Sequence, residues 1–227
     1  MECLKSRIMR QTVIFPFWRE KVMNMIRRRV MSTRIMDYDF SGMNSEIRIS
    51  VIGKKGIDIK MKKMLVVYYS WSNGNTKKIA EQLANKTGAD IARIETAEPY
   101  RGSHEDVVEQ GKREVEAGFM PQINPISVNL ADYDVIAIGT PTWWYTMAPT
   151  VLTFLTTNDF TGKTVIPFMT NGGWPGHVIK DMKDKCKGAA FAHEMQIQFD
   201  AMGKDHLETS EDVITEWIGQ INTDINK

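Results

Sequence analysis

From residue 64 to the end of the chain, short apolar runs alternate with amphipathic segments of helical spacing. Few architectures accept that alternation. Leu65 to Tyr69 reads as a buried strand, and Ile79, Ala80, Leu83 and Ala84 give the following segment a helical apolar face that Gly88 can end. Asp90–Glu95 is a short second strand. Residues 103–118 form a charged helix with Val107, Val108 and Val115 on one side. Val135–Gly139 is apolar throughout, as a strand covered on both faces must be. A helix over Thr150–Leu155 follows Pro149, which is tolerated in a first turn. Thr164–Met169 reads as a fourth strand in which Pro167 is awkward. A helix near 176–186 comes next, then a fifth strand within 189–199. The last helix carries Val213, Ile214, Trp217, Ile218 and Ile221, with Thr209 and Asp212 spaced as a capping pair and Trp217 in the core. Strict strand–helix alternation predicts a doubly wound parallel sheet with helices on both faces.

In such a sheet ligands bind outside the carboxyl ends of the strands, where the strand order switches. Three loops fall on that edge. The first runs Ser70, Trp71, Ser72, Asn73, Gly74, Asn75, Thr76 and opens a helix. Unpaired N–H groups and the helix dipole there attract an anion, and hydroxyl and amide side chains complete a phosphate cradle without lysine or metal. A well-capped strand-to-helix turn would look much the same. The second loop, Thr140-Pro141-Thr142-Trp143-Trp144-Tyr145, holds three consecutive aromatics. They cannot all enter a core, so at least one is expected over a flat ligand or at an interface. The third, Thr170-Asn171-Gly172-Gly173-Trp174-Pro175-Gly176, combines close backbone approach with another flat surface. Together they outline a site for a nucleotide-like cofactor with a planar ring.

Other chemistries find less support. Cys3 and Cys186 form no C-x-x-C pair, and the four histidines are scattered, so neither a disulfide scaffold nor a metal site is expected. No apolar run approaches the roughly 20 residues that cross a bilayer. A receiver domain would need carboxylates where Ser70 and Thr140 stand, and a low-molecular-weight phosphatase would need a cysteine in the first loop. Neither G-x-G-x-x-G nor a Walker lysine is present there.

Charge divides the chain. Residues 1–63 hold 15 Lys+Arg against 6 Asp+Glu, and the remainder holds 14 against 22. The acidic body argues against nucleic-acid binding and favours basic protein partners or simple solubility. Residues 1–60 read as a basic N-terminal extension, poorly structured or the product of a start assigned too far upstream. Alternation at Ile47, Ile49 and Val51 and at Ile57 and Ile59 allows a small hairpin there. Residues 61–227 form the ligand-binding domain.

The first loop, with Gly74-Asn75-Thr76 followed by Ala80 and Leu83, resembles the phosphate loop of the flavodoxin family. Gly139-Thr140-Pro141-Thr142-Trp143-Trp144 is similar to the family's second loop, and Asn171-Gly172-Gly173 falls where its third flavin-contacting loop stands. The resemblance covers about residues 64–224. It implies a five-stranded parallel sheet in the order 2-1-3-4-5 and a non-covalently bound FMN. It places the phosphate on Ser70, Ser72, Asn73, Gly74, Asn75 and Thr76 and the ring against Trp143 or Trp144, with Tyr145 and Trp174 as further candidates. Backbone groups of residues 140–145, which include Thr140, Pro141 and Thr142, and of Asn171, Gly172 and Gly173 would hold the pyrimidine edge.

The function so implied is cytoplasmic electron transfer between redox partner proteins by a monomer or homodimer, with no nucleic acid or membrane involved. The alternative is an NAD(P)H-dependent FMN or quinone oxidoreductase on the same fold. Two departures stand out. Trp71 occupies a place where the family commonly has Ser or Thr. The second loop lacks the family's frequent glycine, so positive φ there would be strained and the half-reduced flavin less favoured.

Overall fold

The computed structural model describes residues 35–38, 46–51, 57–60, 62–201 and 204–225. The chain divides into two compact units, Met1–Lys60 and Met61–Lys227. In the first, β1 (Ile35–Tyr38), β2 (Glu46–Val51) and β3 (Ile57–Lys60) form an antiparallel sheet in that order. The hairpin expected from the alternation is therefore present as β2–β3, with a third strand that the sequence pattern did not reveal. Expectations for residues 1–34 lie outside the described residues.

The second unit follows the expected alternation. β4 (Met64–Tyr68) leads into α1 (Asn75–Thr87), β5 (Asp90–Arg93) into α2 (His104–Glu116), and β6 (Val135–Trp143) through the short β7 (Thr146–Met147) into α3 (Pro149–Thr157). β8 (Thr164–Asn171) leads into α4 (Val178–Lys185), then β9 (Ala190–Phe191), β10 (Met195–Gln198) and α5 (Glu211–Ile225). The main strands are all parallel and lie in the order β10-β8-β6-β4-β5. Counted along the unit, that is the expected order 2-1-3-4-5.

Alternation along β4 divides the core between two faces. Leu65 and Val67 join Val151, Phe154, Leu155, Val178 and Met182 from α3 and α4. Met64, Val66 and Tyr68 join Ile79 and Leu83 of α1 and Ile214, Trp217, Ile218 and Ile221 of α5. Each such fully buried aliphatic side chain stabilises the fold by about 1.5–3 kcal/mol. Trp217 is buried as expected, and its indole N–H donates to the His193 carbonyl at 2.6 Å.

Three local details differ from expectation. The fifth strand is split into β9 and β10, and the split explains how Pro167 fits a central strand. The Val165 carbonyl accepts from Ala192 N–H on the outer side, so Pro167, two residues on, faces outward too. There residues 192–194 leave the sheet, and no ladder donor is missed. At α5 the capping hydroxyl is Ser210, which accepts from Asp212 N–H, while Thr209 accepts from Gln198 N–H in the preceding loop. Third, the second loop is not irregular: β6 and β7 pair as a hairpin with Thr142 opposite Met147 and Trp143 opposite Thr146.

Candidate FMN site

At the carboxyl ends of β4, β6, β8 and β10 the loops enclose a cleft of about 420 Å³. The first wall is the turn between β4 and α1. Ser72 has φ 58° and Gly74 φ 77°, and left-handed residues spaced this way turn successive N–H groups toward one side, as in an anion nest. Gly74 caps α1 without a side-chain cap bond, and no acidic residue sits in the first turn. The positive end of the helix is thus open toward the cleft through Asn75 and Thr76. Asn75 Nδ2 donates to the Lys204 carbonyl at 3.0 Å, and the Thr76 hydroxyl lies 2.7 Å from that of Thr170.

The hairpin supplies the second wall. Its two-residue turn is Trp144-Tyr145, with φ 48° and 68°. Positive φ at both central positions is the type I′ geometry, which normally selects Asn-Gly. A non-glycine residue there costs about 1–3 kcal/mol, so the strain expected of a glycine-free loop is present. Neighbours hold it in place. The Tyr145 carbonyl accepts from His177 N–H at 2.8 Å, and the Trp144 indole N–H donates to the Val108 carbonyl at 2.8 Å. The Lys112 ammonium sits 5.3 Å from the Trp144 ring centre. Thr146 donates its hydroxyl to Asp181, whose carboxylate also meets His177 Nδ1.

The three aromatics take different roles. Trp143 is half-buried and edge-on to Tyr69, Trp71 and Tyr100, with ring centres 6.1, 6.3 and 5.0 Å away. Behind it the Tyr100 hydroxyl donates to Glu114 at 2.5 Å. Burial pushes the Tyr69 hydroxyl up to about 12, and burial with the Glu114 contact raises that of Tyr100. Trp144 and Tyr145 are exposed at the hairpin tip, as is Trp174 of the third loop.

Of the sixteen expected site residues, twelve line the cleft: Ser72, Asn73, Asn75, Thr76, Pro141, Thr142, Trp143, Trp144, Tyr145, Asn171, Gly172 and Trp174. Four stand outside the lining. Ser70 is buried behind the turn, where its carbonyl accepts from Arg93. Thr140 is fully buried, and its hydroxyl accepts from Ala148 N–H across the base of the hairpin, a structural role. Gly74 and Gly173 shape turns, Gly173 donating its N–H to Asn171 Oδ1.

Several lining residues were not anticipated. Phe199, Asp200 and Ala201 form a fourth loop, after β10, which the strand-end rule would have found had the fifth strand been located. His104, Val107, Val108 and Gly111 belong to one face of α2, and no motif marks them. A larger groove of about 700 Å³ lies between residues 123–131 and 157–163, toward the amino ends of β6 and β8. It is on the wrong edge of the sheet for the ligand of an open α/β fold.

Two buried polar atoms in the cleft, Asn75 Oδ1 and Thr142 Oγ1, have no hydrogen-bond partner among the described residues. A buried polar group left so costs about 1–3 kcal/mol, which a polar ligand in the cleft would recover at these two; Ser70 Oγ and Thr150 Oγ1, outside the lining, are in the same state. An open helix end, a phosphate-sized nest and aromatic walls fit a flavin mononucleotide.

Fold and site together define a doubly wound α/β protein with an anion cradle and a planar-ring cleft at its topological switch point. The chain belongs to the flavodoxin family, whose model matches residues 63–221. Among solved structures it is similar to one described as a flavoprotein from Bacteroides uniformis ATCC 8492, 27% identical over 70% of this chain and 99% of that one, with a TM-score of 0.59. Another so described, from Bacteroides eggerthii DSM 20697, is 28% identical over 70% and 98% of the chains, with a TM-score of 0.57. A flavoprotein in complex with FMN from Lactobacillus acidophilus NCFM, 22% identical over 60% and 92% at a TM-score of 0.51, supports the fold alone. No curated protein matches the sequence. No helix among the described residues is long and apolar enough to cross a membrane.

Proposed function

We propose that this chain binds FMN non-covalently and carries electrons between redox partner proteins. The observation that carries the reading is the pair of partnerless buried atoms, Asn75 Oδ1 and Thr142 Oγ1, beside a helix end that no side chain caps. FMN supplies the redox chemistry when bound. The nest at Ser72–Asn75 and the Thr76 hydroxyl would hold its phosphate. Thr142, Asn171 and Gly172 would orient the polar edge of the ring, while Trp143, Trp144, Tyr145 and Trp174 would cover its faces and exclude water. The cofactor assignment is also supported by the family and by the FMN bound in the Lactobacillus acidophilus flavoprotein.

A carrier is favoured over a dinucleotide-using reductase by the charge of the cleft. None of its described lining residues is Lys or Arg, whereas NAD(P)H brings a pyrophosphate of its own that would need such a partner. Purified protein should be yellow, or become so with stoichiometric FMN. NAD(P)H alone should not bleach it anaerobically, whereas a flavodoxin reductase plus NADPH should. Direct bleaching by NAD(P)H with quinone turnover would replace the carrier by a reductase; colourless protein without FMN affinity would overturn both.

A further inference from the structure

We propose that His104 is the cationic partner of the cofactor phosphate. The inference rests on the FMN reading above. His104 is the first residue of α2, and its imidazole stacks on the Trp71 indole, ring centres 5.8 Å apart and planes 25° from parallel. Both rings line the cleft beside Ser72 and Asn73. The α2 capping box is closed by the side chains of Ser103 and Asp106, and it makes no demand on the imidazole.

The charge inventory of the cleft points the same way. Among the described lining residues the ionisable side chains are His104, Tyr145 and Asp200, so His104 alone can become positive. A phosphate monoester carries about −1.5 to −2 at neutral pH. The first turn of α1 offers it dipole and N–H groups, while Lys77 and Lys78 of that turn are not among the lining residues and Lys77 pairs with Glu81. A charged donor makes hydrogen bonds roughly twice as strong as a neutral one.

The positive end of α2 works against a charge on its first residue, and the neighbouring carboxylates offset it. Glu105 and Asp106 follow it on its own helix, and Arg101 precedes it. The facing residues of the first loop and the hairpin, Trp71, Ser72, Asn73, Trp143 and Trp144, carry no charge, and Asp200 comes from the fourth loop. Asp106 is already engaged by the Ser103 N–H. An imidazole changes charge within the pH range where FMN binding is easily measured.

The test compares FMN with riboflavin, which has the ring but not the phosphate. Flavin-fluorescence titrations would use the full chain and two variants, His104→Gln and His104→Arg, with thermal melts to show that each is folded. At about pH 6 the wild type should bind FMN roughly tenfold more tightly than His104→Gln, and at about pH 8.5 the two should converge. Arginine also stacks on indole and stays charged, so His104→Arg should bind FMN tightly at both values. Riboflavin should not discriminate among the three. Identical FMN profiles for wild type and His104→Gln would overturn the proposal. The same pH dependence with riboflavin would also overturn it, by assigning the charge to the ring. Failure of the wild type to bind FMN at any pH would instead remove the FMN reading, and this inference with it.

Discussion

Gly176 lies against the Tyr145 carbonyl so closely that a Cβ built on the glycine would fall 2.1 Å from the oxygen. The third loop thus clamps the tip of the second, and the same carbonyl accepts the His177 N–H. This clamp offsets the strain of a type I′ turn without glycine. It also makes the wall of the cleft a fixed surface.

Gly176→Ala should therefore destabilise the protein well beyond an ordinary surface change. The clash and the φ of 58° at that residue together should cost about 2–4 kcal/mol. For a chain of this size that lowers the melting temperature by roughly 5–15 °C. Tyr145→Gly should raise it, since relief of one left-handed side chain is worth about 1–2 kcal/mol. Differential scanning calorimetry checks both; an unchanged melt for Gly176→Ala would mean that the two loops are not clamped.

Gly111 gives a second, opposite expectation. Glycine to alanine inside a helix ordinarily gains about 1 kcal/mol. Here the new Cβ would lie 2.9 Å from Trp143 Cε3, so the indole must move. Gly111→Ala should show little or no gain in denaturant midpoint and several-fold weaker FMN binding. A variant that gains the full helix propensity and keeps its FMN affinity would show that Trp143 is not positioned by α2.

Thr142→Val separates folding from binding. It removes a buried hydroxyl with no partner, so the cofactor-free protein should become more stable by about 1 kcal/mol. If the hydroxyl serves FMN, affinity should fall about tenfold at the same time. Chemical denaturation of the apoprotein and an FMN titration read the two effects. Loss of stability without loss of affinity would count against Thr142 as a ligand group.

Alkaline pH should weaken the fold. Tyr69 is raised by burial from 10.0 to about 12, and Cys186 by burial from 9.0 to about 12. A raised folded-state value means stability that is complete below the unfolded value and lost as pH climbs through the folded one. The melting temperature should hold to about pH 9 and fall between about pH 9 and pH 12. Tyr69→Phe should flatten the upper part of that decline. A melting temperature level to pH 12 would show that the two groups titrate freely in the native state.

The fold was legible because its strands and helices announce themselves by different apolar periods, and because Gly88 and Pro149 punctuate them. The split of the last strand was not, since Phe191 and Ile197 give only two- and four-residue elements with no period to count. At the site, the nest and the aromatic loop were readable from Ser72–Thr76 and Trp143–Tyr145 because turn chemistry is local. Which indole is exposed was not: Trp143 turns inward because Gly111, thirty-two residues earlier, leaves room for it. His104 was equally hidden, since its place beside Trp71 depends on how α2 packs. Pairings of that kind arise from packing between elements and leave no pattern along the chain.

The interruption opposite Pro167 bears on how copies of this protein behave at high concentration. A long, straight outer strand offers a row of free backbone groups that a second chain can recruit into a growing ribbon. Here that margin of the sheet is broken into segments of two and four residues, with His193 at φ 50° between them. That margin therefore offers a second chain no long run of free backbone groups, and Pro167 faces the gap in it.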